Sequence, residues 1–335
     1  MLKSQKLDES GQIKTVVGWF FTIALVAVTV SAYVFRQQLY DDYRLYNYVP
    51  PQSISSLALE DTMTPAATRI FYVNKPQLDN KAAFSAVCPN GGGEKTIVLG
   101  CYHGGQNGIF LQQITDSRLN GVVQVTAAHE MLHAAYDRLS PDEKKQIDAQ
   151  LLNYYNNNLQ DQRIKDTINS YRKSEPNDVV NEMHSIFGTE VSVLPSSLET
   201  YYKRYFVNRA KVTAYASQYQ AEFSSRQATI KQDDQQLADL KQKIQSLEAS
   251  LTAEQATITA RQQELLRTRD SGNVSDYNAG VAGYNAMVDN YNMQARNVQA
   301  MVSQYNQLVA ERNAVAAQIA DLSSALSSST SQIKQ

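Results

Sequence analysis

The stretch VVQVTAAHEMLHAAYDRL, from Val122 to Leu139, decides the fold of the middle of this chain. Its apolar residues recur at helical spacing, and the Ser140-Pro141 pair after it is typical of the cap and first residue of a following helix. Because His129 and His133 are four residues apart, their side chains lie on the same face of the helix. The sequence therefore predicts one helix that carries two imidazoles side by side, with Glu130 next to them.

His129, Glu130 and His133 form the pattern H-E-x-x-H, in which each residue type has a chemical role. Two imidazoles at this spacing reach one metal ion, and the glutamate can take a proton from a water molecule that the ion activates. The chain contains 4 histidines, so a chance occurrence of the pattern is rare. We therefore predict His129 and His133 as ligands of Zn²⁺ and Glu130 as the general base of a hydrolytic reaction.

A catalytic zinc site needs a third protein ligand, and the segment NEMHSIFGTE (181–190) is the next that offers one. We predict this segment to be helical to about Phe187. It contains three candidate ligands, namely Glu182, His184 and Glu190. His184 is two residues from Glu182 and would therefore face another side of the same helix.

Both segments resemble those of thermolysin-like gluzincins, a class of zinc metallopeptidases. HEMLHAAYD (129–137) is similar to their active-site helix, which often reads HExxHAxxD. Asn181-Glu182, with Ser185 three residues after the glutamate, is similar to the segment that supplies their third ligand. The resemblance covers these two short stretches. It implies a zincin-like domain, with Glu182 as the third ligand and Asn181 as a residue that supports the ligands.

One position departs from that family. Gluzincins place an aspartate four residues after the ligand glutamate, where it orients the first histidine, whereas this chain has Ile186 there. A carboxylate behind a ligating histidine fixes the imidazole tautomer, so another group must do this. We predict Glu190, one turn further on, for that role, and His184 and Glu190 remain the alternative third ligands.

Shorter patterns predict the surroundings of the site. RIFYV (69–73), TIVLGCY (96–102) and GIFLQQI (108–114) are apolar or alternating runs that indicate strands. The last of them is either the edge strand that pairs with an extended substrate or an ordinary strand of the sheet. We predict His103, in a glycine-rich loop, to be a surface histidine.

A tyrosine cluster follows the third-ligand segment. One of its hydroxyls could donate a hydrogen bond to the oxyanion of a hydrolytic transition state, and core packing is the alternative role for these rings. The cluster contains Tyr201, Tyr202 and Tyr205. Further helices are predicted at 141–158, 161–173, 177–187 and from Ser197 onward.

An uncharged apolar run, TVVGWFFTIALVAVTVSAYVF (15–35), lies near the start of the sequence. It is long enough for a helix across the hydrocarbon core of a bilayer. A cleaved signal peptide and a buried core helix are the alternatives, and the run is long for either. Lysine and arginine are slightly more frequent before the run than after it. This bias predicts a single-pass cell-membrane protein with residues 1–14 in the cytoplasm and the catalytic domain outside.

The two cysteines fit an exported domain. Cys88 and Cys101 flank a glycine turn, and a hairpin there would bring their sulfur atoms within bonding distance, so we predict a disulfide. Two separate buried thiols, or zinc ligation by cysteine, are the alternatives. Between the membrane and the domain we predict a linker over 36–65, in which Pro50-Pro51 ends any helix.

From about residue 210 the chain becomes a long polar tract with a seven-residue apolar repeat. Isoleucine and leucine recur from Ile230 to Leu265, the stretch DSGNVS (270–275) interrupts the repeat, and a Tyr/Val seam follows from Tyr277 to Val309. We predict an antiparallel coiled-coil hairpin over 210–335, whose seam pairs within one chain or between chains.

The sequence as a whole predicts an α+β protein with a zincin-like domain over 66–209, between a transmembrane helix and the hairpin. Its formal net charge of −2 offers no basic stripe for nucleic acid. The predicted function is zinc-dependent hydrolysis of peptide or protein substrates at the membrane. The alternative is an envelope scaffold, in which the hairpin binds a protein partner or self-associates and the zincin-like domain is a platform. In a third interpretation the hairpin is a lid for the peptidase.

Overall fold

A computed structural model describes residues 9–88, 99–174 and 176–326 of the chain. Over these ranges the protein is mostly helical with a small three-stranded sheet, which agrees with the predicted α+β class. The chain divides into two compact units. Among the described residues, the first comprises 9–115 and 120–217, and the second comprises Asp116–Leu119 and Gln218–Leu326.

Most helices of the first unit lie where the sequence predicts them. The predictions at 122–139, 141–158 and 161–173 are confirmed to within two residues at each end, whereas the helix predicted from Ser197 onward is interrupted after Tyr202. The helices are α1 (Glu9–Val34), α2 (Arg36–Leu45), α3 (Gln52–Glu60), α4 (Pro65–Val73), α5 (Lys81–Val87), α6 (Val122–Asp137), α7 (Pro141–Asn157), α8 (Gln162–Ser174), α9 (Val179–Glu190), α10 (Ser196–Tyr202) and the start of α11 (Arg209–Asp270).

Three short strands, β1 (Gln77–Asp79), β2 (Gly100–His103) and β3 (Gly108–Gln112), form the sheet. β3 is central, with β1 parallel to it on one side and β2 antiparallel on the other. The strand predicted within 108–114 is therefore confirmed, but its interpretation as an edge strand is wrong, because β3 is paired on both sides and buried. The glycine turn predicted between the cysteines, and residues 96–98 of the strand predicted there, lie outside the described residues.

Residues 65–73 form helix α4, so the strand predicted at 69–73 is wrong. An apolar run of five residues fits either element, and here the start of the helix decides. Thr64 caps α4, since its side chain accepts a hydrogen bond from the backbone N–H of Ala67 at 3.2 Å, and Pro65 occupies the first turn. Phe71 then faces the core, which explains the apolar character of the run.

The segment 36–65 is folded, which corrects its prediction as a linker. It contains α2 and α3, and Ile54 and Leu57 of α3 belong to the main hydrophobic core. Pro51 does stop the preceding segment, but it also serves as the N-cap residue of α3. The compact domain therefore begins well before the boundary that the sequence predicted.

Helices α6 and α9 pack against each other at the centre of the first unit and carry the predicted ligands. Their facing surfaces are apolar, and Met131 of α6 and Phe187 of α9 are fully buried. Gly188 permits the close approach, because a Cβ atom there would lie 2.4 Å from Leu132 Cδ1 and 2.8 Å from Tyr202 Cε1. The predicted ligands therefore lie on two helices, α6 and α9, whose relative position is fixed by close packing.

Helix α1 is apolar along most of its length, and its residues from 18 to 34 are exposed. In the part of the chain that the structure describes, no single helix meets the length and hydropathy criteria for a membrane span. One bent pair, Gly18–Val34 with Arg36–Leu45, meets them together by length and composition. The two helices of this pair are bent by 67°.

The second unit contains most of α11 and all of α12 (Val274–Leu326). The break between the two helices falls within the interruption that the sequence predicted. Glu254 of α11 accepts a hydrogen bond from Asn290 of α12 at 2.9 Å. Further along, Asp234 accepts one from Arg312 at 3.0 Å, so the helices are antiparallel. The predicted helical hairpin is confirmed over the described residues.

Candidate metal centre

His129 and His133 of α6 meet Glu182 of α9 at the contact between the two helices. The Nε2 atoms of the two histidines are 3.0 Å apart. The Glu182 carboxylate lies 3.3 Å from His133 Nε2 through one oxygen and 3.5 Å from His129 Nε2 through the other. The three side chains therefore direct their ligand atoms to one place, and they are the three that the sequence analysis selected.

The spacing of these atoms allows the three residues to share a metal ion, because one ligand atom from each lies within 4.8 Å of the others. Zinc lies about 2.0–2.1 Å from an imidazole nitrogen or a carboxylate oxygen, so at tetrahedral angles its ligand atoms are about 3.3–3.4 Å apart. The N–N separation of 3.0 Å and the two N–O contacts of 3.3 and 3.5 Å, which involve different carboxylate oxygens, are of this order. In addition, Glu182 Oε2 is buried and makes no hydrogen bond of normal geometry among the described residues, although the His129 Nε2 atom lies 3.5 Å away. A buried carboxylate oxygen of this kind is costly unless a cation or water satisfies it.

Burial and charge together set the protonation of the cluster. Burial lowers the pKa of His129, but the neighbouring carboxylates, above all Glu182, outweigh this effect and raise that pKa to about 9. Burial raises the pKa of Glu182, but the two histidines outweigh it and hold that pKa below its usual value. The cluster therefore binds a proton tightly, and a metal ion that binds there must displace it.

Glu130 lies beside the cluster and is 6% exposed. The backbone N–H of Tyr102 in β2 donates a hydrogen bond to its carboxylate, and Gly100 of the same strand lies against its side chain. Burial raises the pKa of Glu130 above its usual value, although the two histidines act in the opposite direction. Strand β2 thus holds this carboxylate in position next to the ligand atoms.

Gly100→Ala is expected to displace Glu130 directly. A Cβ atom at residue 100 would lie 2.5 Å from Thr126 Cγ2 and 2.7 Å from Glu130 Oε1. We expect loss of the hydrolytic activity that the motif predicts, and a free energy of unfolding lower by about 1–3 kcal/mol, the usual effect of overpacking. Thermal unfolding and peptide cleavage by the purified variant measure the two effects.

Gly283→Ala is the matched control, because no atom lies within 4 Å of a Cβ atom built at that helical glycine. Alanine is favoured over glycine in a helix by up to about 1 kcal/mol, so this variant should keep its activity and be at least as stable. A Gly100→Ala variant with wild-type cleavage would show that β2 does not position Glu130.

Two side chains support His133 from behind. The His133 Nδ1 atom lies 3.0 Å from Asn181 Oδ1, and the Asn181 amide nitrogen donates to the Asp178 carboxylate at 3.1 and 3.3 Å. Because the amide nitrogen bonds to Asp178, the amide oxygen faces the imidazole and fixes its hydrogen on Nδ1. The Nε2 lone pair of His133 is then directed at the cluster. Asn181 therefore lies against the predicted ligand His133, and its supporting role stays a prediction.

The two alternative third ligands are engaged elsewhere. Glu190 accepts a hydrogen bond from Arg163 at 2.7 Å, although its charge still contributes to the raised pKa of His129. His184 is fully buried, and its Nε2 atom lies 2.9 Å from the Tyr201 hydroxyl. Among the described residues, the group that can share an ion at this place contains neither Glu190 nor His184.

The three tyrosines surround His184. The Tyr201 hydroxyl bonds to the His184 ring and lies 3.2 Å from the Tyr205 hydroxyl. Tyr202 is fully buried and donates to the backbone carbonyl of His184 at 2.7 Å. Burial raises the pKa of all three hydroxyls. Tyr202 and Tyr205 therefore both have the alternative role of core packing. The role of oxyanion donor stays a prediction for Tyr201, which is only partly buried.

Cys88 and Cys101 are joined as a disulfide, with their Cα atoms 6.2 Å apart. The bond connects the end of α5 to β2, the strand that holds Glu130. In this bonded state the two sulfur atoms do not ligate zinc, although Cys88, Cys101 and His103 also bring three possible ligand atoms within 4.8 Å of one another. His103 lies 3.5 Å from Cys101 Sγ and packs on the Phe110 ring. It is half-buried, so the predicted surface position holds for only part of the side chain.

Comparisons with protein-family models, with curated proteins and with solved structures found no match to this chain. The candidate site therefore rests on the motif and on the geometry given above. Two of its parts were missed in the sequence, namely Asp178 and the Gly100–Tyr102 segment of β2. The signals for them are weak: an aspartate one helical turn before Asn181, and a glycine inside a strand, which often marks a close approach.

Proposed function

We propose that this protein is a membrane-anchored zinc peptidase with a zincin-like catalytic domain. The observation that carries the proposal is the convergence of His129, His133 and Glu182, whose ligand atoms lie within 4.8 Å of one another, with Glu130 beside them. Two histidines and one carboxylate leave a fourth position open, which is the arrangement of catalytic zinc sites and not of structural ones.

The residues around the cluster have distinct roles in hydrolysis. A zinc ion bound there would supply a Lewis acid that polarises a water molecule and the carbonyl of the scissile peptide. Glu130 would take a proton from the attacking water molecule and pass it to the leaving amine. Its burial and the Tyr102 N–H hold the carboxylate in one position, so little reorganisation accompanies the proton transfer.

Strand β2 replaces β3 as the proposed substrate-binding strand. The backbone N–H of Gln112 donates to the carbonyl of Leu99 at 2.9 Å, so these two residues bond across the β2–β3 pair. In an antiparallel pair, alternate residues direct their backbone groups away from the neighbouring strand. Gly100 and Tyr102 therefore face the edge of β2 that has no partner strand among the described residues, and Glu130 lies there. Because the Tyr102 N–H is already bonded to Glu130, an extended peptide would pair with the other backbone groups of this edge, alongside the general base.

Helix α1 supports the proposed membrane anchor. Its described side chains are exposed and large, and they include Trp19, Phe20 and Phe21. An apolar surface of this extent is unusual in water, and a bilayer would cover it. The small excess of lysine and arginine before the apolar run supports a topology with residues 1–14 in the cytoplasm and the proposed metal centre on the other side.

The direct test uses the purified full chain in detergent. Its zinc content should approach about one ion per chain, since the proposed centre holds one ion. A mixed peptide library should be cleaved, a chelator should stop cleavage, and added zinc should restore it. A chain that neither binds zinc nor cleaves any peptide, in detergent or in lipid, would contradict the proposal.

Asn181→Ala is expected to weaken zinc binding by about 10–100-fold, the usual effect of removing a group that orients a ligating histidine. Asp178→Asn should act in the same direction with a smaller effect, because it loosens Asn181. Competition against a coloured zinc chelator measures both affinities. Asp142→Asn, at an exposed carboxylate in the first turn of α7, is the control and should bind zinc like the wild type. Wild-type affinity in Asn181→Ala would remove this support from the site.

The scaffold alternative applies to the second unit. The hairpin is long, and among the described residues of α12 only three are buried, namely Val298, Leu322 and Leu326. A seam that is only partly covered can bind a helical partner or another hairpin. Partner binding that persists in a variant without Glu130 would assign this role to the hairpin separately from catalysis.

A further inference from the structure

Helix α2 is amphipathic, but its polar side faces the protein and its apolar side faces outward, which is the reverse of a normal surface helix. Its polar side faces the protein, where Asp41 is 4% exposed and accepts hydrogen bonds from Arg138 at 2.8 and 2.9 Å. Arg44, on the same side, donates to the backbone carbonyls of Val73 at 3.1 Å and Gln106 at 3.3 Å. The charged side of α2 is therefore used to dock the helix onto the end of α6 and its neighbours.

The outward side of α2 carries large apolar and aromatic side chains. Leu39, Tyr43 and Tyr46 are 54%, 80% and 83% exposed. At about 100° per residue, these three positions fall within an arc of about 60°, on the side of the helix opposite Asp41. A helix face in contact with water normally carries polar residues instead. This face therefore fits a partner that is apolar but tolerates hydroxyl groups.

The outward face continues directly from α1. Residues 18–34 of α1 are exposed, and the helix pair is bent by 67° at the start of α2. If α1 crosses a bilayer, α2 turns toward the plane of the membrane at the level where the hydrocarbon core ends. Tyrosine is enriched at that level because its ring packs among the lipids while its hydroxyl reaches water. The bend and the exposed side chains of α2 thus both fit contact with the headgroup layer of a bilayer.

We propose that the face formed by Leu39, Tyr43 and Tyr46 lies in the headgroup layer of the bilayer and seats the catalytic domain on the membrane surface. This rests on the membrane anchoring proposed above. The opposite side of α2 is fixed by the Asp41–Arg138 pair to the end of α6, the helix of the H-E-x-x-H motif. The metal centre is then held at a fixed orientation to the bilayer and does not swing on a flexible tether.

Spin-label depth measurements on the full chain in lipid vesicles test this seating. Single labels are placed at Tyr46→Cys, at Ala24→Cys within α1, and at Asn156→Cys on the exposed side of α7, while the two native cysteines stay in their disulfide. The vesicles are phosphatidylcholine with a minor fraction of phosphatidylglycerol. At each site, the collision rate with oxygen, which concentrates in lipid, is compared with that of a water-soluble nickel chelate.

We expect the oxygen-to-nickel ratio at Tyr46→Cys to lie several-fold above that at Asn156→Cys and below that at Ala24→Cys. A ratio at Tyr46→Cys equal to that at Asn156→Cys, with a high ratio at Ala24→Cys, would overturn the seating of α2 and leave the anchor in place. Low ratios at both Tyr46→Cys and Ala24→Cys would overturn the anchor and the seating together, without bearing on zinc binding.

Discussion

Replacing Glu130 with glutamine is expected to abolish peptide cleavage and to leave zinc binding intact. The amide has the size of the carboxylate but cannot take a proton, and Glu130 is not one of the three converging ligands. Loss of a general base usually reduces the rate on the order of 10²–10⁴-fold, equivalent to about 3–5 kcal/mol of activation free energy. The fold should not change, because glutamine can still accept the hydrogen bond from the Tyr102 N–H.

The measurement combines turnover with zinc content. Wild-type and Glu130→Gln chains, both full length and in detergent, receive the same mixed peptide library, and cleavage is followed by mass spectrometry. Glu264→Gln is the control, since Glu264 is an exposed carboxylate of α11 that pairs with Arg261. Cleavage by Glu130→Gln at the wild-type rate would remove Glu130 from the mechanism and would contradict the proposed function.

Replacing Glu182 with glutamine is expected to empty the metal centre. The substitution removes the only negative charge among the three ligands. Even the loss of a group that merely orients a ligand weakens binding by about 10–100-fold, so the loss of a ligand should exceed about 100-fold. Turnover should fall with zinc occupancy, and excess zinc should restore part of it. That partial recovery distinguishes a ligand from the general base, because zinc cannot rescue Glu130→Gln.

Glu190→Gln separates the two carboxylates that the sequence offered as third ligand. Because Glu190 pairs with Arg163, the zinc affinity of this variant should stay close to that of the wild type. Equilibrium competition with a coloured chelator measures both variants under the same conditions. The reverse pattern, in which Glu190→Gln loses zinc and Glu182→Gln retains it, would overturn the assignment of Glu182.

The helices around the site could be predicted from the sequence because their signals are local. The cap at Ser140-Pro141 and the apolar period of 122–139 are present in the chain itself. The two wrong predictions, the strand at 69–73 and the edge position of β3, both depend on which elements an apolar run packs against. RIFYV at 69–73 has no period that separates helix from strand, and the central place of β3 depends on β1, whose sequence QLD (77–79) carries no strand pattern.

The candidate site divides in the same way. The H-E-x-x-H residues follow from helix geometry, since residues four apart share a face in any helix. Glu182 could be predicted as a ligand only from the resemblance to a known family, because nothing in its own segment indicates which helix it will face. The contributions of Asp178 and Gly100 to the site could not be predicted, because they depend on how α9 and β2 pack against α6. Ligands are therefore easier to predict than the groups that hold them, which depend on tertiary packing.

The bond between Cys88 and Cys101 ties the proposed chemistry to the redox state of the surroundings. Cys101 lies between Gly100 and Tyr102, the two residues of β2 that contact Glu130. Reduction would free β2 from α5 and loosen the N–H that holds the general base, while the ligand-bearing helices would be untouched. A chain kept in a reducing cytoplasm would thus have its metal-binding helices but no fixed base. On the proposed function, hydrolysis would then be faster in an oxidising compartment, although the pairing of β2 with β3 does not depend on the disulfide.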